Sequence, residues 1–167
     1  MELKKLTRNA LLTAIALTIF MIEAQIPPLV PIAGVKLGLA NIVTVFALFA
    51  YGWRDALMIL LVRVFLGSIF SGQVMTLLYS LSGGLLCFAV TLLLRRVLTE
   101  NQIWVASVIG AVFHNIGQIM AAVLVTATPG IIAYLPVLLV SGIITGLFTG
   151  FCTQFLYGKL KHLGQFK

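Results

Sequence analysis

The chain has 167 residues, of which 61% are hydrophobic and only 9% are charged. Its mean hydropathy of +1.15 excludes the class of soluble globular proteins and indicates an integral membrane protein. The formal net charge of +7 would favour a nucleic-acid partner in a soluble chain. Here the basic residues lie at the edges of apolar segments, so we expect a lipid bilayer and no nucleic acid as partner.

Six apolar segments approach the length of about 20 residues that a membrane-spanning helix requires. In chain order they cover residues 6–23, 37–51, 55–70, 74–94, 102–125 and 132–157. The breaks between most of them are short, so sequential helices are expected to be antiparallel neighbours. The first segment lacks a small-residue cleavage site, so we expect it to be retained as a helix. These features predict an all-α integral membrane protein in which residues 1–167 form one six-transmembrane-helix bundle.

The stretch Ile26–Asn41 separates the first two predicted helices and contains three of the five prolines. Proline lacks a backbone N–H group and disfavours helix at the preceding residue, so regular helix is not expected before about Leu37. The stretch is nevertheless too apolar for an ordinary surface loop. Non-helical backbone at membrane depth is tolerated only where it is buried in protein or lines a cavity. We therefore expect a cavity beside this stretch.

The basic residues set the predicted orientation, because cytoplasmic ends carry an excess of lysine and arginine. Most of them lie before or at the start of helix 1, in the second and fourth breaks, or in the C-terminal tail: Lys4, Lys5, Arg8, Arg54, Arg95, Arg96, Lys159, Lys161 and Lys167. The breaks after helices 3 and 5 carry none. Both termini are thus predicted to be cytoplasmic, and the proline-containing stretch to face outward. Lys36 and Arg63 are not explained by orientation.

Polar residues in the outer half of the predicted bundle are the candidate ligand-binding residues, because ionisable groups within a membrane normally face a bundle interior or a water-filled cavity. They are Glu23, Lys36, Asn41, Arg63, His114, Asn115 and Gln118. The last three are spaced i, i+1, i+4, which we interpret as one face of helix 5. The three charged residues sum to +1, which favours an anion. Arginine suits a carboxylate or phosphate, and apolar walls suit a partly apolar ligand.

Each candidate also has a structural interpretation that the sequence leaves open. Glu23 can be an interfacial residue in water, and Lys36 can extend to the outer surface. Arg63 can form a buried ion pair with Glu23. His114 can be a core histidine, and the amide side chains can make interhelical hydrogen bonds.

Two stripes of small residues indicate close helix packing, since small residues four apart let helix backbones approach in lipid. On helix 6, Gly142, Gly146 and Gly150 favour internal packing. On helix 1, Ala10, Ala14 and Thr18 fit either internal packing or a docking face for another membrane protein.

Several kinds of chemistry have no support in the sequence. There is no GxxxxGK[ST] loop for ATP, and Asp55 is the only aspartate, so no acidic pair is available for Mg²⁺ and diphosphate. No Cys/His cluster has metal-ligand spacing, and no Ser/His/Asp arrangement is present. Cys87 and Cys152 lie in apolar segments and are expected to be buried and unpaired. We predict no catalytic activity, no metal and no cofactor.

Two stretches carry a resemblance to a known family. Pro27–Val43 (PPLVPIAGVKLGLANIV) and Arg8–Leu17 (RNALLTAIAL) resemble the Gx transporter family, whose members are often labelled "heptaprenyl diphosphate synthase component I". The resemblance covers essentially the whole chain, although Ala33 stands where proline is common. This chain has no aspartate-rich motif of a prenyl synthase, so at most it would be a partner of such an enzyme.

The family is similar to the substrate-binding S components of energy-coupling factor (ECF) transporters of prokaryotic plasma membranes. The resemblance implies six helices, a ligand site in the outer half, and a capping loop between helices 1 and 2, matched by Ile26–Lys36. It also implies that an AxxxA motif, matched by Ala10 and Ala14, docks a transmembrane coupling subunit that works with separate ATPases.

Three hypotheses result. The first is a transport subunit that binds an isoprenoid diphosphate, a quinone precursor or a flavin, with Lys36, Arg63 and His114 at the acidic group and the amide side chains orienting it. The second is a non-catalytic scaffold or accessory partner of an assembly for isoprenoid or quinone synthesis, or for flavin-based extracellular electron transfer. The third is a carrier that acts without an ATPase.

Overall fold

The computed structural model describes residues 2–27 and 36–163, and that part of the chain folds into six α-helices without a β-strand. The helices are α1 (Glu2–Glu23), α2 (Asn41–Ala50), α3 (Trp53–Ser71), α4 (Val74–Leu94), α5 (Ile103–Thr126) and α6 (Leu135–His162). Short 3-10 helices at Glu100–Gln102 and Pro129–Tyr134 precede α5 and α6. The all-α prediction is confirmed, and the predicted helix ends lie within a few residues of those observed. Most of the proline-containing stretch, residues 28–35, lies outside the described residues.

Four of the helical segments are long and apolar enough to cross a membrane. They are Leu3–Glu23, Val74–Leu94, Glu100–Thr126 and Pro129–His162. The other two α-helices do not meet this criterion. The helix α2 is too short, with 10 residues and a length of about 15 Å. The helix α3 carries three charged residues, Arg54, Asp55 and Arg63. The chain is therefore a membrane protein by its helices, while a count of six spanning helices stays a prediction.

The short helix α2 lies at the centre of the bundle. Eight of its ten residues are buried, and it packs against each of the other five α-helices. The main core surrounds it and includes Leu48, Ile59, Leu60 and Phe88. A helix that is apolar on all sides is expected inside a protein. In contrast, the outward faces of the longer helices expose large apolar side chains such as Leu124 and Phe148, as lipid contact requires.

Glycines bring α4, α5 and α6 into close contact. A Cβ atom added at Gly146 would lie 2.7 Å from Cα of Val108, and one at Gly150 would lie 2.7 Å from Cα of Trp104. At Gly142 the nearest atom is the amide nitrogen of Asn115. These distances leave no room for a side chain, so the predicted internal packing of the α6 glycines is confirmed.

The small-residue stripe of α1 behaves differently, because Ala10 and Ala14 are exposed. The buried face of α1 is formed instead by residues such as Asn9, Ala16 and Phe20, which face α2 and α3. Of the two alternatives for this stripe, internal packing is therefore wrong within the described residues, and an open surface remains.

The two cysteines also differ. Cys87 is buried as predicted, whereas Cys152 is exposed on the outer face of α6. The prediction of burial was wrong for Cys152 because an apolar residue in a lipid-facing helix need not face protein.

Candidate functional site

Six of the seven predicted ligand-binding residues lie together between the middle of the bundle and the end that holds Glu23. We call this set the Glu23 cluster. It comprises Glu23 at the end of α1, Lys36 before α2, Asn41 at the start of α2, Arg63 on α3, and His114 and Gln118 on α5. Lys36 is partly buried and the other five are less than a tenth exposed. Four α-helices and the segment before α2 thus meet at one buried polar site.

Gly38 is the point around which the cluster packs. Its N–H donates a hydrogen bond to Glu23 Oε1 at 2.6 Å. Its φ of +81° lies in the left-handed region that favours glycine. A Cβ atom there would lie 2.8 Å from Cδ2 of His114 and 3.0 Å from Nδ2 of Asn41. Only glycine lets the backbone pass between these side chains, so Gly38 is a site residue that the sequence analysis missed.

Lys36 points into the protein instead of extending to a surface. Its backbone N–H donates to Gln118 Oε1 at 3.3 Å, and its Nζ lies 3.5 Å from the centre of the Phe20 ring. The Phe20 ring in turn packs on Gly67 of α3. Burial lowers the pKa of the Lys36 ammonium group, and the nearby Glu23 carboxylate opposes that shift. The ammonium is buried and has no hydrogen-bond partner among the described residues.

Arg63 is 3% exposed and donates from Nη2 to Asn41 Oδ1 at 3.0 Å. The ion pairs within 4.0 Å in residues 2–27 and 36–163 join other residues, so the direct pair of Arg63 with Glu23 is not formed there. Arg63 Nε has no partner in this part of the chain. The Nε–H group of the buried guanidinium is therefore a hydrogen-bond donor without an acceptor in this part of the chain.

The three polar residues of α5 do not share one direction. His114 lies against Gly38, and Gln118 contacts Lys36. Asn115 instead donates to the carbonyl oxygen of Leu138 at the start of α6. Successive helical residues are about 100° apart, so i and i+1 project to different neighbours. The expectation that all three face one site is therefore corrected for Asn115, which takes part in α5–α6 packing.

The charge of the Glu23 cluster and its buried hydrogen-bond donors determine which kind of ligand the cluster could bind. The formal charges of Glu23, Lys36 and Arg63 sum to +1. Three buried nitrogen donors, Lys36 Nζ, Arg63 Nε and Gln118 Nε2, have no partner among the described residues. A buried donor without a partner costs about 1–3 kcal/mol, so such atoms require an explanation. An anion with several oxygen acceptors would satisfy them. Within the described residues no three His, Cys, Asp or Glu side chains are grouped for a metal ion.

A second polar cluster, around Asp55, was missed by the sequence analysis. Lys5 Nζ and Arg8 Nη2 lie 3.0 and 2.9 Å from the Asp55 carboxylate oxygens, and Asn9 Nδ2 donates to Oδ1 at 3.0 Å. The Arg8 guanidinium also lies 3.8 Å from the centre of the Tyr51 ring. These contacts tie α1 to α2 and α3 at the basic end. The sequence did contain an indication of this cluster, because Asp55 is the only aspartate of the chain and lies in the first turn of α3.

The family profile described as "Heptaprenyl diphosphate synthase component I" matches residues 12–156. Neither the curated proteins nor the solved structures contain a significant match. Because the matched segment covers most of the chain, this protein belongs to the heptaprenyl diphosphate synthase component I family.

Proposed function

We propose that this chain is the ligand-binding subunit of a membrane transporter of the ECF S-component type, and that the Glu23 cluster binds an anionic small molecule. The observation that carries the proposal is the set of three buried donors on Lys36, Arg63 and Gln118 that have no hydrogen-bond partner among residues 2–27 and 36–163. A structural network would be expected to pair its own buried donors. Donors left unpaired beside a net positive charge support an acidic ligand group.

The surroundings of the donors support a ligand that is also partly apolar. Phe20 lies under the Lys36 ammonium, and Gly67 and Gly83 border the same region on α3 and α4. In our proposal the acidic group contacts Lys36, Arg63 and His114, while amide side chains orient it. An isoprenoid diphosphate, a quinone precursor and a flavin-like compound each combine such a group with an apolar part.

In this proposal the chain is not an enzyme, and energy comes from separate ATPases through a transmembrane coupling subunit. The exposed position of Ala10 and Ala14 on α1 supports a docking role for this stripe. The distribution of basic residues supports cytoplasmic termini. The resemblance to S components supports a location in the plasma membrane of a prokaryote.

A second candidate function is favoured by the family description. Its words name a component of a prenyl diphosphate synthase, and in this second proposal the chain serves as a non-catalytic scaffold for such an assembly. In that case the Arg63–Asn41 and Gly38–Glu23 hydrogen bonds would be purely structural.

The two candidates are separated by native mass spectrometry, with small-molecule extraction, on protein purified gently from its source membrane. The transport proposal expects one co-purified anion per chain that is lost in Arg63→Gln. Arg54→Gln is the matched control, since Arg54 is an exposed arginine on the same helix. An unliganded protein that carries a synthase subunit would refute the transport proposal and support the scaffold.

A further inference from the structure

A groove of about 520 Å³ lies at the basic end of the bundle, between the last three turns of α6 and the 3-10 helix before α5. Phe151, Phe155, Lys159 and His162 line it along α6, and Asn101 lines the opposite side. This groove is far from the Glu23 cluster, and nothing in the proposed function uses it.

The lining residues of α6 change from apolar to basic along the groove. They are spaced by four, four and three residues, so they fall on one helix face about 16 Å long. The two phenylalanines are 55% and 69% exposed, and Phe151 stacks on Trp104 of α5 with ring centres 5.7 Å apart. Lys159 and His162 follow in the last turns of α6. A phospholipid has the same order, with apolar chains followed by a charged headgroup.

The groove also has free space and a positive charge. A Cβ atom at Gly158 would meet nothing within 4 Å, so the groove is open beside this residue. Glu100, the neighbour of the groove residue Asn101, is engaged by Lys161 and by the Tyr157 hydroxyl. Among the described residues, the ion pairs within 4.0 Å do not include Lys159.

We propose that this groove binds one anionic phospholipid. Its phosphate lies between Lys159, His162 and the Asn101 amide, and an acyl chain covers Phe151 and Phe155. The positive charge selects an anionic over a zwitterionic headgroup, because basic residues near a membrane surface attract anionic lipids. The aromatic part of the groove binds the acyl chain of the lipid. This apolar contact distinguishes the site from one that binds a soluble phosphate.

The test uses the full-length protein in nanodiscs of equal phosphatidylglycerol and phosphatidylcholine, released for native mass spectrometry. We expect one retained phosphatidylglycerol per chain in preference to phosphatidylcholine. Lys159→Gln should lower this retention about fivefold. Lys4→Gln, which removes an exposed lysine from the same end, should leave it unchanged. Equal retention of the two lipids, or equal effects of the two variants, would overturn the proposal.

Two further measurements test the groove itself. Gly158→Leu fills the free space, so it should abolish retention of phosphatidylglycerol while the unfolding temperature is kept. Unchanged retention in a folded Gly158→Leu protein would place the lipid elsewhere; if this variant does not fold, the Lys159→Gln comparison decides. Millimolar glycerol 1-phosphate should not displace the lipid. Displacement would show that the groove takes a soluble phosphate and would overturn the assignment to a lipid.

Discussion

The Glu23 carboxylate makes the shortest of the hydrogen bonds that hold the Glu23 cluster together, and Glu23→Gln tests its role. The substitution keeps the side-chain shape and an acceptor oxygen but removes the negative charge. Glu23 is 4% exposed, and it accepts the Gly38 N–H at 2.6 Å. Lys36 and Arg63 lie near enough to act on it electrostatically. The variant therefore raises the net charge of the cluster from +1 to +2.

The change in the free energy of unfolding is the sum of two losses of stabilisation and one gain. A charge-assisted hydrogen bond contributes about 1 kcal/mol more than a neutral one. Each attraction to a cation at 4 Å or beyond is at most about 4 kcal/mol at an effective dielectric of about 20. The desolvation penalty of the carboxylate, several kcal/mol, is relieved in the variant and offsets most of this. We expect a net loss of about 2 kcal/mol, or about 4–8 °C in unfolding temperature for a domain of this size.

The assay is thermal unfolding in detergent, with Glu100→Gln as the matched control. The Glu100 side chain is 50% exposed and paired with Lys161, so its loss should change stability by less than about 1 kcal/mol. An unfolding temperature of Glu23→Gln equal to or above that of the control would refute the reasoning. It would mean that the charge of Glu23 does not hold Gly38 in place.

Three other substitutions test separate parts of the fold. Gly146→Val should destabilise the bundle by about 1–3 kcal/mol, because its Cβ would overlap the backbone of α5, whereas Gly158→Ala should be neutral in the same thermal unfolding assay. The double variant Ala10→Leu with Ala14→Leu should change stability by less than about 0.5 kcal/mol, because both positions are exposed. The same variant should abolish co-purification of a coupling subunit. Retained co-purification would contradict a docking role for this stripe. Asp55→Asn should cost about 1–3 kcal/mol in thermal unfolding, since it removes the charge that two basic side chains of α1 share; an unchanged unfolding temperature would show that these pairs contribute nothing to stability.

The sequence alone was sufficient for the helices and for most of the polar cluster. Helix length and position follow from local features: the run of apolar residues that lipid requires, and the glycines and charges that interrupt it. Burying a polar side chain within a membrane costs free energy, so the sequence positions of Arg63 and His114 already indicated candidate site residues. Both lie in the Glu23 cluster, although their roles in binding stay predictions.

Only the tertiary structure decided which side chains meet. Arg63 donates to Asn41 and does not pair directly with Glu23, which holds Gly38 instead. Asn115 faces α6, away from its neighbour His114. These contacts join residues 15 to 23 positions apart along the chain, and they depend on how the helices are rotated and packed. No local pattern specifies that rotation.

The two small-residue stripes show the same limit most clearly. By spacing alone, the glycines of α6 and the alanines of α1 are equivalent. In the fold the glycines contact the backbone of α5, while Ala10 and Ala14 lie on the exposed side of α1. The sequence therefore determined a membrane bundle and where polar groups and close contacts are possible. The tertiary structure decided which of those contacts form, because the buried face of each helix depends on the helices packed against it.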